Sequence, residues 1–456
     1  MTRSPLGSDH ERTVGGEAAT RRAGRPAPPP FQVIAKPAGP RCNLHCAYCF
    51  YLQKDRLYPD SWRMPDEVLE SFIRQYLESQ DTPAVSFSWQ GGEPTLLGVA
   101  FFERVVELQR HYAAGRTIEN AFQTNGVLLD DQWSAFLARE RFLVGLSIDG
   151  PRHLHDRYRV DRGGAPTFGR VVRGLDLLQR HGAEFNTLTS VNRDNARRPL
   201  EVYRFLKSIG SRYMQFIPIV ERLEPNPAGD MMVASPGSMS PARVAEWSVE
   251  PEQYGRFLCA IFDEWVRHDV GSTFVQLFDV SLGIWALGHS SLCVFEPTCG
   301  RALAIEHNGD LYACDHYVFP GFRRGNIDDE PLATLVESDA QRRFGLDKRD
   351  TLPGYCRRCP VEFACRGECP KTRFVTTPDG EGGLNYLCAA YRRFFAHIAP
   401  AMDFMKGELA HSRPPANVMA WMAEQDRRAG LSEPGRNDSC RCGSGAKFKK
   451  CCGAGL

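Results

Sequence analysis

The residues best suited to chemistry are three cysteines within a short stretch, RCNLHCAYCF, at positions 41–50. Cys42, Cys46 and Cys49 follow a short apolar run with the spacing C-x3-C-x2-C. An iron–sulfur cubane ordinarily takes four cysteine thiolates. Three on one loop can hold three irons and leave the fourth open, as catalytic zinc sites keep one position free for water or substrate. The residues alone leave open a zinc site completed by His45.

The chain as a whole predicts a cytoplasmic protein. It carries sixteen cysteines in 456 residues, and a reducing compartment keeps thiols out of disulfides, so metal or cluster ligation is the expected use. No apolar run reaches the roughly 18–20 residues that a membrane span needs. Lysine plus arginine (56) nearly equals aspartate plus glutamate (55), so we expect no membrane partner and no specific nucleic-acid partner.

Strand-like runs alternate with stretches of helical periodicity. The runs are 31–35, 84–89, 118–123, 142–148, 184–191 and 213–219, and the helical stretches between them are 66–79, 99–111, 131–139, 168–180 and 198–209. The alternation predicts an α/β fold of parallel strands with right-handed crossovers, and six units predict a partial (β/α)6 TIM-like barrel. Chemistry in such barrels lies on loops after the carboxyl ends of the strands. The three cysteines, QGGEP and SIDGP all fall there.

The stretch CNLHCAYC followed by an aromatic residue resembles the signature of radical S-adenosylmethionine (SAM) enzymes. The resemblance implies that SAM chelates the open iron and is cleaved to a 5′-deoxyadenosyl radical. It also implies SAM contacts at Gly91, Gly92 and Glu93 of the GGEP element, and at Ser147 and Arg159, since the planar fork of arginine suits a carboxylate. Without the cysteines, GGEP would be an ordinary turn and Arg159 a solvated charge.

Eight further cysteines lie between residues 293 and 388, in the patterns C-x5-C-G, NGDLYAC and C-x2-C-x5-C-x3-C with one more downstream. Eight thiolates suffice for two fully ligated cubanes, although C-x2-C pairs equally suit zinc ribbons. The pattern resembles the SPASM domain of radical SAM enzymes that act on peptides and proteins, which implies two auxiliary [4Fe-4S] clusters that relay or accept electrons. The implied ligand sets are Cys293, Cys299, Cys314 and Cys369, and Cys356, Cys359, Cys365 and Cys388.

Longer stretches narrow the resemblance: IAKP, CAYCFY, FSWQGGEPTLLG, FQTNGVLL, FLVGLSIDGP, YMQFIPIV and CDHYVFPGFRRGNI. Together they resemble the anaerobic sulfatase-maturating enzymes over residues 31–400. The resemblance implies oxidation of a cysteine or serine to Cα-formylglycine in an unfolded or nascent sulfatase with a C/S-x-P-x-R type motif. It also implies an electron donor such as flavodoxin or ferredoxin. Cysteine and serine carry a heteroatom on the same carbon, so either substrate type is compatible with the sequence.

The same resemblance assigns the base to Asp315, directly after Cys314. Such a base removes the thiol or hydroxyl proton as the carbon radical loses its electron. A loop aspartate that caps a backbone N–H is the alternative. Other polar groups remain open between lining the substrate pocket and packing: His316, Tyr317, Gln123, Asn125 and Gln215. Cys259, in an amphipathic helical stretch, is predicted to be a buried structural thiol.

The end of the chain, GRNDSCRCGSGAKFKKCCG, resembles the SEC-C zinc motif. The resemblance implies Zn²⁺ held by Cys440, Cys442, Cys451 and Cys452, and so short a segment folds only if metal binding supplies the energy. Its lysines are either simply solvated or meet an acidic export chaperone or ribosomal surface.

These features predict the following organisation: a disordered tail over 1–30, the radical SAM partial barrel over 31–240, a helical connector over 241–290, the SPASM domain over 291–400, a linker or helix over 401–430 and the SEC-C motif over 431–456. Two other functions stay open. One is a SPASM enzyme that forms thioether or carbon–carbon crosslinks in a ribosomally made peptide, and the other is a noncatalytic zinc-binding adaptor.

Overall fold

A computed structural model describes residues 28–59, 61–226, 229–238, 242–430, 437–438 and 447–450. The six strands and five helices predicted over 31–220 are all present, and their ends differ from prediction by no more than one residue. The strands are β1 (Gln32–Lys36), β2 (Ala84–Trp89), β3 (Thr117–Thr124), β4 (Leu143–Ser147), β5 (Phe185–Val191), β6 (Tyr213–Pro218), β7 (Arg222–Pro225), β8 (Met231–Val233), β9 (Arg243–Val244), β10 (Phe274–Val275), β11 (Ala302–Glu306), β12 (Asp310–Tyr312) and β13 (Arg323–Asn326).

Helices alternate with the first six strands and then dominate the second half of the chain. They are α1 (Asp66–Glu78), α2 (Val99–Tyr112), α3 (Asp131–Arg139), α4 (Arg152–His155), α5 (Phe168–His181), α6 (Pro199–Ser208), α7 (Pro251–His268), α8 (Gln276–Leu287), α9 (Leu332–Val336), α10 (Asp339–Asp350), α11 (Gly354–Arg357), α12 (Glu362–Cys365), α13 (Cys388–Ala410) and α14 (Val418–Arg428). In the part of the chain described, no helix combines the length and apolar character that crossing a membrane requires.

The main sheet has ten strands in the order β10-β6-β5-β4-β3-β2-β1-β11-β12-β13. Strands β1 to β6 are neighbours in chain order and run parallel, as predicted. Their carboxyl ends therefore meet at one edge of the sheet, where the predicted site loops leave. Strands β7, β8 and β9 form a separate antiparallel sheet.

The cysteine-rich region continues the main sheet rather than starting a separate one. Strand β11 pairs in parallel with β1 along its whole length, from Gln32 opposite Ala302 to Lys36 opposite Glu306. The predicted domain boundary at residue 290 is therefore crossed by a continuous backbone ladder. This pairing makes β1 an interior strand and places the end of β11 beside the loop that carries the first three cysteines.

Two large clusters of buried apolar side chains support the sheet. One includes α1, α2 and α3, and the other is formed largely by α7, α8 and α13. Cys259 of α7 is 8% exposed and lies in the second cluster, consistent with a structural thiol. Helices α7 and α13 approach closely at Gly255, where an added Cβ would lie 3.0 Å from the Cα of Ala390.

We expect Gly255→Ala to destabilise the protein by about 1–3 kcal/mol, because its methyl group must push two packed helices apart. The matched control is Gly407→Ala in α13, where an added Cβ meets nothing within 4 Å. That substitution should be neutral or stabilising by up to about 1 kcal/mol, since alanine favours helix. Thermal unfolding of anaerobic protein measures both, and equal midpoints for the two variants would contradict the close contact.

Candidate active site

The loop that carries Cys42, Cys46 and Cys49 is held against the GGEP loop by backbone contacts. The amide of Gly92 donates to the carbonyl of Gly39 at 2.8 Å, and the amide of Glu93 donates to that of Arg41 at 2.8 Å. A Cβ on Gly92 would lie 1.9 Å from the Arg41 carbonyl oxygen. Glycine is needed at this position because the two loops touch through their backbones.

Glu93 uses its carboxylate within the protein. One oxygen accepts from the Thr95 amide (3.0 Å), the Thr95 hydroxyl (2.7 Å) and the Thr124 hydroxyl (2.8 Å), and the other accepts from the Asn125 amide (2.8 Å). Burial has the larger effect and raises the pKa of Glu93, while these hydrogen bonds lower it. Glu93 thus connects the GGEP loop to the end of β3, a role that sequence reasoning missed.

The three thiols of the first loop lie close enough to influence one another's ionisation. Burial first, and then the charges of Glu93 and Cys49, raise the pKa of the Cys42 thiol to about 12. Burial also raises the pKa of Cys46 to about 12, although Arg159 nearby lowers it. A cationic centre bound here would have to replace the protons of these thiols.

Two polar groups approach the Cys42 sulfur. The Leu44 amide donates to Cys42 Sγ at 3.4 Å, and Asn125 Nδ2 lies 3.7 Å from the same sulfur and 2.8 Å from Asn43 Oδ1. The His45 side chain is exposed. Among the described residues, no group of three or more Cys, His, Asp and Glu side chains is arranged to hold a single metal ion.

Arg159 reaches the same region and forms a buried ion pair. Its Nε lies 3.1 Å from Asp149 Oδ2, and the Tyr48 hydroxyl donates to that oxygen at 2.5 Å. Burial is the largest single effect and lowers the pKa of Arg159, but the charges of Asp149, Tyr48 and Cys46 together outweigh it and raise the pKa. Asp149 and Tyr48 were not predicted, although they lie in the quoted SIDGP and CAYC motifs. The hydroxyl of Ser147 accepts from Gln123 Nε2 at 3.0 Å, so Ser147 also lies at this end of the sheet.

Asp315 forms a buried ion pair with Lys36. The Lys36 Nζ lies 2.5 Å from Asp315 Oδ1, and the two side chains are 2% and 18% exposed. Burial raises the pKa of Asp315, but Lys36, His316 and Lys371 together hold it below the ordinary value. Asp315 is therefore a carboxylate at neutral pH, the state that a base requires.

Lys36 is the main residue that sequence reasoning missed. The signal was present in IAKP, where a lysine ends an otherwise apolar strand that the structure places inside the sheet. Its Nζ also lies 4.3 Å from the centre of the Tyr51 ring, and the Tyr51 hydroxyl donates to the carboxylate of Glu306. A buried ammonium is tolerated here because a carboxylate and an aromatic face both stabilise it.

Two other lysines add positive charge around Asp315. Lys371 Nζ pairs with Glu221 Oε1 at 2.6 Å. Lys54 is 4% exposed and its Nζ lies over the Phe319 ring. Burial and the charge of Lys371 lower the pKa of Lys54 to about 7. The charges of Lys36 and Lys371 lower the pKa of Asp315 and so favour an ionised base.

The structure groups the eight later cysteines in the two sets that the SPASM resemblance implies. In the first set, the thiols of Cys293 and Cys369 lie close enough to Cys314 that, in addition to burial, their charges raise its pKa. The charge of Cys293 likewise adds to burial in raising the pKa of Cys299. In the second set, Cys356, Cys359, Cys365 and Cys388 line one pocket. Burial is the main cause that raises the pKa of Cys299 and of Cys356 to about 11 and the pKa of Cys369 to about 12.

The other residues predicted to line the site or to bind metal differ in their location. Tyr317 is 5% exposed and packs edge-on against Phe322 and Phe344, so it is a packing residue. His316 faces the first auxiliary set, with Nδ1 3.8 Å from Cys369 Sγ. Gln215 lies half-buried on β6. The predicted zinc ligands Cys440, Cys442, Cys451 and Cys452 lie outside the described residues.

Known families and relatives match this arrangement. The Radical SAM superfamily matches residues 37–206, the iron–sulfur cluster-binding domain SPASM matches residues 293–360, and the SEC-C motif matches residues 436–454. A serine-type anaerobic sulfatase-maturating enzyme from Bacteroides thetaiotaomicron is 47% identical over 392 residues, 86% of this chain and 94% of that protein. A cysteine-type enzyme from Clostridium perfringens is 36% identical over 379 residues, 82% of this chain and 98% of that protein.

A solved structure is similar over nearly the same span. Native anSMEcpe with bound AdoMet and Cp18Cys peptide has a TM-score of 0.73 and 34% identity, over 84% of this chain and 100% of that one. The parallel strand–helix units and the cysteine sets thus define a radical SAM protein with a SPASM domain. On these identities and coverages, the chain belongs to the anaerobic sulfatase-maturating enzymes.

We expect Lys36→Met to destabilise the protein by about 3 kcal/mol, because it leaves the Asp315 carboxylate buried without its cation. The control Arg74→Met breaks the exposed pair with Glu78, whose side chains are 42% and 63% exposed, and should cost less than about 1 kcal/mol. Anaerobic thermal unfolding compares the two. Adding Asp315→Leu to Lys36→Met should restore part of the loss, and a double variant no more stable than Lys36→Met would contradict the pairing.

Proposed function

We propose that this chain oxidises the side chain of a serine or cysteine in a sulfatase polypeptide to Cα-formylglycine, by radical SAM chemistry. The observation that carries the proposal is the Lys36–Asp315 ion pair, which joins the end of β1 to the residue that follows Cys314. The extensive identity to sulfatase-maturating relatives of both substrate types supports it.

Three [4Fe-4S] clusters and one SAM molecule are the proposed cofactors. Cys42, Cys46 and Cys49 would hold the first cluster, and the two later sets of four cysteines the other two. When bound at the first loop, cluster and SAM supply the 5′-deoxyadenosyl radical. The proposed SAM contacts are Gly91, Gly92, Glu93, Ser147 and Arg159.

Side chains of the protein take part in the steps that follow hydrogen-atom abstraction. After a hydrogen atom leaves the substrate β-carbon, the carbon radical must lose one electron and the adjacent heteroatom its proton. Asp315 accepts the proton, and Lys36 keeps Asp315 ionised until then. Cys293, Cys299, Cys314 and Cys369 would hold a neighbouring cluster that could accept the electron. Serine gives the aldehyde directly, whereas cysteine gives a thioaldehyde that water converts to the aldehyde with release of hydrogen sulfide.

The proposed partners follow from the same chemistry. The substrate is an unfolded or nascent sulfatase segment with a C/S-x-P-x-R type motif, and the peptide-bound structure of the relative anSMEcpe supports a peptide substrate. A flavodoxin or ferredoxin supplies electrons in the cytoplasm. The SEC-C segment binds Zn²⁺ through its four cysteines and recruits the enzyme to an export chaperone or ribosome, a role lost if deleting residues 431–456 leaves maturation in cells unchanged.

A peptide assay tests the activity and the residue roles. Reduced, reconstituted protein with SAM and a peptide containing C-x-P-x-R or S-x-P-x-R should yield an aldehyde visible by mass spectrometry. Cys42→Ala should abolish SAM cleavage, because the open iron is no longer held. Asp315→Asn should retain SAM cleavage and lower the aldehyde yield by roughly 10²-fold or more, because the base is gone.

Two results would overturn these assignments. Aldehyde yield unchanged in Asp315→Asn would remove Asp315 from the reaction. SAM cleavage with an intact or crosslinked peptide in the unmodified protein would favour the peptide-crosslinking alternative over maturation.

Metal analysis tests the cofactor count. Anaerobic reconstitution should give roughly twelve irons per chain, since each cubane holds four. Replacing Cys356, Cys359, Cys365 and Cys388 together by alanine should lower this to roughly eight, while the peptide-free cleavage of SAM continues. Zinc without iron in the reconstituted protein would instead support the adaptor alternative.

A further inference from the structure

His316 lies next to Asp315, to the first auxiliary cysteine set and to the loop that carries Cys49. It follows Asp315 in the same short turn, Asp315–Tyr317. Its Nδ1 lies 3.8 Å from the Sγ of Cys369, a member of the first auxiliary set. Its ring also packs edge-on against Phe50, the residue after Cys49, with ring centres 6.1 Å apart.

The protonation state of the Cys369 sulfur determines which of the two atoms donates the hydrogen bond. A cysteine sulfur that ligates iron carries no proton, so it can only accept a hydrogen bond. The nitrogen that faces it, Nδ1, must therefore carry the proton, and the lone pair of a neutral ring lies on Nε2. Hydrogen bonds to ligand sulfurs are one of the features that set the reduction potential of an iron–sulfur cluster.

We propose that His316 donates an Nδ1–H hydrogen bond to Cys369 and thereby raises the reduction potential of the first auxiliary centre, the one that takes the substrate electron. The inference rests on the proposed function, because that function supplies the electron. It gives His316 a positioning role: it acts through Cys369 and touches neither the substrate proton nor SAM.

The position of His316 couples the two halves of the oxidation. The carbon radical gives up one electron as the adjacent heteroatom gives up one proton to Asp315. Residues 314 to 316 therefore provide, in order, a ligand of the electron acceptor, the proton acceptor and the donor that tunes the electron acceptor. A partial negative charge on Cys369 is stabilised by the Nδ1 proton, so the reduced state of that centre gains more than the oxidised state.

Two variants of matched shape separate this role from packing. In His316→Asn, the side-chain amide occupies the position of Nδ1 and retains a donor. In His316→Leu, a methyl group occupies that position and the donor is lost. Both are made in the full chain with Cys42, Cys46 and Cys49 replaced by alanine, which removes the SAM-binding cluster from the spectrum. A redox titration followed by electron paramagnetic resonance then measures the two remaining centres.

We expect His316→Leu to make reduction of one centre about tenfold less favourable, a shift of about 59 mV to lower potential for one electron. The other centre should not move, and His316→Asn should restore most of the loss. With Cys42, Cys46 and Cys49 present, His316→Leu should cleave SAM normally but form less aldehyde per SAM cleaved. Equal potentials in His316→Leu and the parent would overturn the proposal, and so would shifts of equal size in both centres.

A second measurement does not depend on a substituted protein. Protein grown with ¹⁵N-labelled histidine should show, in pulsed resonance spectra of the reduced auxiliary centres, a nitrogen coupling through the hydrogen bond to sulfur. No such coupling would overturn the proposal. Both measurements report on the centres without peptide substrate, so they remain informative if the peptide assay shows no aldehyde and the proposed function fails.

Discussion

A buried ammonium needs a carboxylate beside it, and in this protein that requirement connects two regions that are far apart in the sequence. Lys36 ends the first strand of the barrel, while Asp315 follows a cysteine of the auxiliary region. Taking either charge out of water alone would cost several kcal/mol, so each stabilises the other's burial. The pair consequently fixes the distance between the barrel mouth and the cysteine-rich half, and it does so at the proposed reacting position.

The strand pairing beneath this contact explains how it is possible. Since β11 lies parallel to β1, Lys36 and Glu306 lie side by side at the same edge of the sheet. The Tyr51 hydroxyl donates to Glu306, and its ring lies near the Lys36 ammonium. The loops on this edge are also held by backbone contacts, as Gly92 shows. Several independent interactions therefore hold the proposed base, the first cysteine loop and the auxiliary region in one arrangement.

Local sequence patterns were sufficient to predict the parallel strand–helix units. Period-two and period-3.6 patterns depend on neighbours in the chain, so strands such as Ala84–Trp89 and helices such as Asp131–Arg139 were predicted with correct ends. The cysteine sets were assigned by resemblance, and the fold brings the same groups together.

Contacts between distant segments could not be predicted in this way. No local pattern predicts that residues 302–306 pair with residues 32–36. Without that pairing, nothing in the sequence indicates that Asp315 is the partner of Lys36. Asp149 was missed for a related reason: its carboxylate meets Arg159 and Tyr48 only after the strand ends have converged. The hydrogen bonds that Glu93 accepts from Thr124 and Asn125 were missed for the same reason, because they form only when the end of β3 lies beside the GGEP loop.

The interior position of β1 has a consequence for biosynthesis. During translation β1 emerges early, and its partner β11 leaves the ribosome only after the whole barrel has been made. Until then, one side of β1 offers unpaired N–H and C=O groups to other polypeptide chains. A nascent molecule of this protein is thus itself prone to aggregation until its second half arrives, and a protective factor that shields this first strand during synthesis would raise the yield of active enzyme.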